Sequence, residues 1–296
     1  GEGWMPIGIE GKPFNGHFDG NNKKITGLKI NRPGSNYMGL FGRINGGTVE
    51  NVGVVNADIT GADIVGGVAG YVNGTVKNCY SSGSVSGSSS NVGGVVGLVN
   101  NNGIVENCVA LNSSVSGTNY VGRVAGKIET GVLSNNYAFS RISGTWENKG
   151  LNEQDGENVT AQELLAKSFW TAAENWNDSP WDESVWIFAD GKLPVLKGLE
   201  GLTEQNGDGG LYLLVRDIQY AKVELDKTSF TYDGSPQRPV LTVDFDGETL
   251  TEGTDYTVSV ISAGGYESSD GIEIGTYNIK LTATGNFTGT VSTAFS

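Results

Sequence analysis

The sequence predicts an all-β protein: a parallel β-helix of about five coils with a small α/β cap, followed by a β-sandwich. Three observations lead there. One block recurs four times, as Tyr-Met-Gly-Leu-Phe-Gly-Arg-Ile (37–44), Val-Gly-Gly-Val-Ala-Gly-Tyr-Val (65–72), Val-Gly-Gly-Val-Val-Gly-Leu-Val (92–99) and Val-Gly-Arg-Val-Ala-Gly-Lys-Ile (121–128). An Asn follows each block, at Asn51, Asn78, Asn107 and Asn135, and each copy closes on aliphatic-Ser/Thr-Gly. A period of this length is that of a solenoid. Its short β-branched stretches, with no helical periodicity, make each repeat one turn of about three strands. Finally, the last eighty residues break into short strands divided by turn residues, the pattern of a sandwich.

Composition narrows the class. The 296 residues suit about two domains. The 46 Gly are about twice the average share, yet most sit at fixed places in the repeat. A net charge of −14 with one His disfavours nucleic acid and anionic membranes as partners, because both would repel the chain. No apolar run approaches a membrane span, so no membrane insertion is expected. The chain opens in mid-pattern at Gly1 and reads as an excised piece. Cys79 and Cys108 occupy the same place in successive repeats. Stacked about 4.8 Å apart, they fit either free thiols filling the core or a bridge. The free thiols are the favoured reading.

Taken in order, residues 1–36 form an entry coil. Phe14 and Phe18 are spaced by Gly and Asn, Asp19-Gly20-Asn21-Asn22 supplies a turn, and Lys24–Ile30 alternates like a half-buried strand. The step from Gly27 to Gly61 exceeds the later steps, and the excess is the loop Asn31-Arg32-Pro33-Gly34-Ser35-Asn36. From Tyr37 the columns settle. Leu40/Val68/Val95/Val124 and Ile44/Val72/Val99/Ile128 are core ladders. Phe41/Ala69/Val96/Ala125 varies in size, as if each coil filled its space differently. The Gly columns mark corners that need positive φ or the absence of a Cβ. The Asn column is an amide ladder. Arg123 stands where Gly39, Gly67 and Gly94 stand, so the fourth copy departs from the pattern as terminal repeats do.

Gly39-Leu40-Phe41-Gly42, preceded by Phe-x-Gly-x-Phe-Asp-Gly-Asn (14–21) and followed by Val-Gly-Gly-Val-x-Gly and aliphatic-x-Asn-Cys, resembles the GLUG-motif repeats of bacterial surface proteins. The resemblance covers roughly residues 4–148. It implies a right-handed parallel β-helix in an exported, adhesin-like protein at the cell surface, with no catalytic set. Some proteins with this motif resemble IgA-cleaving metallopeptidases. Their His-Glu-x-x-His zinc motif is absent, and a single His could not supply it.

The β-helix region is thus 1–150, and 151–200 leave the repeat as a capping segment. Thr160-Ala-Gln-Glu163 is a capping box opening a short helix at about 161–172, and Val185–Phe188 with Leu193–Leu196 make a hairpin. A β-helix ends in an open edge, and this aromatic-rich segment is expected to cover it. Residues 201–218 read as a linker. The sandwich, 219–296, has strands at 223–225, 229–232, 240–245, 256–261, 277–282 and 290–295, with a turn at Asp246-Gly247. Phe230-Thr-Tyr-Asp-Gly234, Gly275-Thr-Tyr277 and Gly285-Asn-Phe-Thr-Gly289 resemble the Ig-like spacer modules of bacterial adhesins.

No nucleophile elbow, phosphate loop or Ser/His/Asp set appears, and no cofactor or metal is expected. A β-helix hydrolase or lyase would need clustered carboxylates on an outer face. Asp58, Asp63, Glu50, Glu106 and Glu129 are available, but Lys77 falls between Glu50 and Glu106 in their column. Asp19 with Asn21 and Asn22 reads as an Asx turn rather than a Ca²⁺ site. The one candidate ligand face is Trp170, Trp176, Trp181 and Trp186, which reads either as a sugar-stacking platform or, the favoured reading, as a packed cover. Otherwise recognition is expected off the ladder, in the loop at 31–36 or on outward Ser/Thr/Asn positions. The chain therefore reads as an adhesin-like monomer without catalysis, its partner a surface protein or glycan. A carbohydrate-binding or carbohydrate-active β-helix is the alternative.

Overall fold

A computed structural model describes residues 1–164, 166–176, 180–181, 183, 186–188, 195–196 and most of 218–296. The chain divides into two units, Gly1–Tyr212 and Leu213–Ser296. Residues 201–217 of the expected linker lie outside the described residues.

The first unit is a β-solenoid of about four turns rather than five. All pairing between coils is parallel. One ladder runs through His17–Thr26, Phe41–Gly61, Ala69–Lys77, Ile104–Glu106 and Val132–Ser134. A second runs through Phe41–Gly61, Tyr80–Gly87, Val109–Ser116, Tyr137–Phe139 and Glu157–Val159. A third joins Phe41–Gly61, Ala69–Lys77, Val96–Val99 and Ala125–Ile128. A narrow corner ladder links Val65–Gly66, Ser90–Gly93 and Asn119–Gly122. The count falls short because the entry segment is not a whole coil. Its first residues form no strand and meet the stack through isolated bridges, among them Ile7 to Phe41 and Phe14 to Ile44, and a bulge breaks its register between Asp19 and Lys23.

The columns stack in the register the repeat implies. Val68, Val95 and Val124, like Ile44, Val72 and Val99, are fully buried. Burying each such side chain stabilises the fold by about 1.5–3 kcal/mol. The variable column is core as well: the space beside Phe41 is filled by the rings of Phe14 and Phe18, at 5.0 and 5.2 Å. Both cysteines are buried free thiols, pointing at the carbonyls of Lys77 and Glu106.

The corners divide the labour between two residue types. The left-handed positions are the Asn themselves, with φ of 55° at Asn51, 50° at Asn78, 51° at Asn107 and 58° at Asn135. Asn tolerates this region because its short side chain bonds locally. Each amide also donates to the Asn one coil earlier, from Asn135 to Asn107 to Asn78 to Asn51, and Asn51 donates to Asp19. The glycine column has the other reason. A Cβ on Gly97 would meet backbone atoms of Val65, Ile64 and Gly70 at 2.6–2.8 Å. A second left-handed column, Tyr37, Ile64, Asn91 and Tyr120, turns the chain onto the corner ladder.

Arg123 does more than mark a departure from the repeat. It is fully buried, and its guanidinium donates to the carbonyls of Gly156 (3.0 Å) and Phe139 (3.4 Å) and to Asn158 Oδ1 (2.8 Å). Burial lowers its pKa, opposed by nearby Asp155 and Glu157. Residues 148–159 fold over the last coil: Gln154 carbonyl accepts from Val124 and Ala125, and Asp155 accepts from the Arg123 and Asn148 amides. The open end is closed here.

The aromatic segment therefore covers something else. The capping box forms, with Glu163 N–H to Thr160 Oγ1 at 3.2 Å and Thr160 N–H to Glu163 Oε2 at 2.8 Å. In place of one helix at 161–172 there are two, Ala161–Leu164 and Lys167–Thr171, followed by a 3₁₀ turn at Ala173–Trp176. Ala166 between them is extended, and the Trp170 indole takes the Leu164 carbonyl that a continuous helix would use internally. Its rings pack on the outward column Gly53/Tyr80/Val109/Tyr137. Trp181 lies 6.4 Å from Tyr80, while Phe169 and Trp176 lie 4.9 and 4.8 Å from Tyr137, two coils further on. The aromatic cover runs along the side of the stack, while residues 148–159, where the same segment begins, close its end. The hairpin pairs Trp186 with Leu196 and Ile187 with Val195, antiparallel.

The second unit holds two antiparallel sheets. Lys222–Leu225, Leu241–Phe245 and Glu248–Thr249 form one; Glu267–Ser268, Tyr256–Ser262, Tyr277–Ala283 and Thr290–Phe295 form the other. Alternation buries Val243, Phe245, Val260, Ile279 and Leu281. The strand expected at 229–232 is absent from 229–231, where Phe230 only donates to the Ser296 carbonyl. Residues 246–247 of the expected turn lie outside the described residues, although Phe245 and Glu248 pair across them.

Candidate functional site

The sequence put forward four tryptophans first. Trp170, Trp176 and Trp181 are 1%, 0% and 3% exposed. Trp170 and Trp176 stack at 5.8 Å, Trp181 meets Trp170 at 4.8 Å, and Phe188 closes on Trp170 at 6.5 Å. In this arrangement each ring lies against another ring. The Trp186 side chain lies outside the described residues.

The carboxylates are spread out and partnered. Glu50 lies between His17 and Lys77 (Nζ at 3.0 Å), and Glu106 follows Lys77 in register. Asp58 pairs with Lys29 at 3.1 Å. Asp63 accepts from the Ile64 amide and from Asn91. Glu129 accepts from Lys127 and Asn100, and its hydrogen bond raises the Lys127 pKa. Asp19 closes an Asx turn with the Asn21 amide at 2.8 Å. Among the described residues no three His, Cys, Asp or Glu side chains are grouped as a metal site.

A built concavity does occur where the repeat period is broken. A cavity of about 350 Å³ lies between the entry segment and the extra loop. Met5, Pro6, Ile9 and Met38 give it aliphatic walls, Tyr37 an aromatic one, and Glu10, Ser35 and Asn36 its polar groups. Both walls are pinned by backbone bonds. Trp4 N–H reaches Lys29 O at 2.7 Å, Ile7 N–H reaches Leu40 O at 3.0 Å, and Ile9 and Lys12 exchange bonds. Across the cavity, Ala62 N–H donates to Ser35 O at 2.8 Å and Ser88 Oγ to Pro33 O at 3.2 Å. Arg32 ties the walls together, bonding Glu2 at 2.5 Å and the Trp4 carbonyl at 3.4 Å. A site held in this way loses little freedom on binding.

Behind the cavity an aromatic and cationic strip climbs the stack. The Arg43 guanidinium sits 4.8 Å from the Tyr37 ring and 4.7 Å from the Tyr71 ring, and 3.6 Å from Glu10. Tyr37 meets Tyr71 edge-on at 6.3 Å, and Asn101 Nδ2 donates to the Tyr71 hydroxyl. Further up, Lys127 lies 4.8 Å over the exposed Tyr120. The sequence identified the loop at 31–36 but gave no sign of the opposite wall at 5–10. That wall has no repeat partner to reveal it.

No family model matches the chain. A segment is 41% identical over 101 residues to "Halomucin" of Haloquadratum walsbyi, spanning 33% of this chain and 1% of that protein. Another match is 44% identical over 82 residues to the "Putative Gly-rich membrane protein" of Evansella cellulosilytica, spanning 26% of this chain and 10% of that one. The chain therefore spans a small fraction of the relatives it matches. Among solved structures, a Bacteroides ovatus protein described as "a putative immunoglobulin A1 protease" aligns at TM-score 0.40 and 18% identity, over 66% of this chain and 81% of that one.

Proposed function

We propose that this chain is part of an exported surface protein of the adhesin-like kind, whose solenoid displays recognition surfaces and performs no catalysis. The observation that carries the reading is how the repeat is used. Its Gly, Asn and aliphatic columns are accounted for by close approach, left-handed corners and core. The built concavity falls where the repeat is interrupted. Repeat proteins commonly place binding loops at such insertions. The names of the two relatives, a mucin-like name and a Gly-rich membrane protein, support a place at the cell surface. Among the described residues, no helix is long and apolar enough to cross a membrane. The GLUG-like motif at 39–42 and the two antiparallel sheets of the second unit, read as an Ig-like spacer, fit the same picture.

Antiserum raised against residues 1–212 tests this on intact source cells. The epitope should be labelled without lysis and be removed by external protease. Protection from protease until the cells are broken would sink the proposal.

A further inference from the structure

We infer that the cavity at 5–10 and 34–38 is a binding pocket for a neutral sugar residue, on the premise that the chain is a surface binding protein. A pyranose is amphipathic: it has apolar C–H faces and a rim of hydroxyls. The cavity is matched to both. Tyr37, Met5, Pro6, Ile9 and Met38 provide apolar walls; Glu10 is an acceptor, Asn36 both donor and acceptor, and Ser35 a hydroxyl. Its volume of about 350 Å³ lies at the small end of ligand pockets. Such a volume suits one or two sugar rings better than a long chain.

Charge selects a neutral ligand. Glu10 is the one charged residue of the lining, on a chain of net charge −14, and the two neighbouring guanidiniums are already engaged, Arg43 by Glu10 and two tyrosine rings and Arg32 by Glu2 and the Trp4 carbonyl. A uronate or sialyl carboxylate would meet repulsion without a free cation to offset it. A peptide is disfavoured for a different reason. Strand addition needs open main-chain groups, and here the amides of Ile7, Ile9, Tyr37 and Met38 are already bonded within the chain.

The test is an oligosaccharide array carrying neutral glucosyl, galactosyl, mannosyl and N-acetylhexosaminyl chains beside sialylated, sulfated and uronate ones. It is followed by titration calorimetry of the full chain with the best ligand. Glu10→Gln and Asn36→Ala are surface changes that leave the core intact; Tyr37→Ala removes the ring, and Tyr37→Phe keeps it. Neutral glycans should bind. Affinity should fall at least about tenfold in the first three variants, and hold in Tyr37→Phe and in Val132→Thr, a distant exposed position. A blank array, binding confined to acidic glycans, or binding indifferent to Glu10 and Asn36 would each overturn the assignment. A blank array on a chain that antiserum still reaches on intact cells removes the sugar pocket alone. Protease protection with sugar binding intact removes the surface reading instead.

Discussion

At the scale of single residues, the corner asparagines do two things at once. Asn78 holds φ at 50° and bonds both ladder neighbours. Asn78→Ala should lose about 1–2 kcal/mol for the left-handed backbone and about 1 kcal/mol for each hydrogen bond. Asn78→Gly keeps the backbone freedom and should recover the first part only. Urea midpoints of the two variants separate the contributions; equal midpoints would show that the amides contribute and the conformation does not. The buried thiol of Cys108 makes a second prediction. Burial, with Cys79 beside it, pushes its pKa well above 9.0, and burial pushes Tyr137 to about 12. Both groups stay protonated in the fold while the unfolded chain ionises, so the unfolded state binds fewer protons and stability falls as pH rises. The loss should begin near pH 9 and steepen above pH 10, and Tyr137→Phe should flatten the upper part in a pH series of melting curves. The Asn ladder and paired cysteines were legible because they recur at one spacing. The left-handed φ at Ile64 was not, since a β-branched residue is the last to be expected there.

At the scale of elements, most of the strand stacking was readable because a one-residue slip would turn every core side chain outward. The two ends were not, since they are where the repeat gives out. Arg123 looked like the loss of a glycine, and its role depends on carbonyls of Gly156 and Phe139 that no spacing rule links to it. Arg123→Met should therefore cost about 3–5 kcal/mol, the usual penalty for breaking a buried charged network. Hydrogen exchange should show the loss concentrated at 119–159. Uniform loosening of all coils would refute the idea that this residue closes one end. The aromatic segment teaches a related lesson. Its composition signalled a cover, yet the target, the outward Tyr80 and Tyr137, belongs to a single column whose other members are Gly53 and Val109. Half of the cavity was likewise visible as an interrupted period, and the rest was hidden in a segment with no repeat to compare.

At the scale of the whole molecule, a charge of −14 on 296 residues sets the response to salt. Self-repulsion destabilises a compact chain. The Debye length falls from about 30 Å at 0.01 M to about 3 Å at 1 M. The melting temperature should rise between those conditions, and a flat or falling profile would mean that surface ion pairs such as Lys77–Glu50 outweigh the net repulsion. Two units with separate cores should also melt in two steps. The sandwich expectation rested on short strands divided by turn residues; strands form at 241–245 and 277–283, whereas at 229–231 the Phe230 amide bonds to the Ser296 carbonyl outside any strand.

The lateral aromatic cover has a mechanical meaning. A plain solenoid contacts only its neighbours coil to coil, so tension on its ends should peel it one turn at a time. Here rings that lie against Tyr80 and Tyr137 strap non-adjacent coils together. Under load the strapped coils should hold as a block and give way in one large step. Pulled in an optical trap, the chain with Trp176→Ala and Trp181→Ala should instead yield a staircase of small ones.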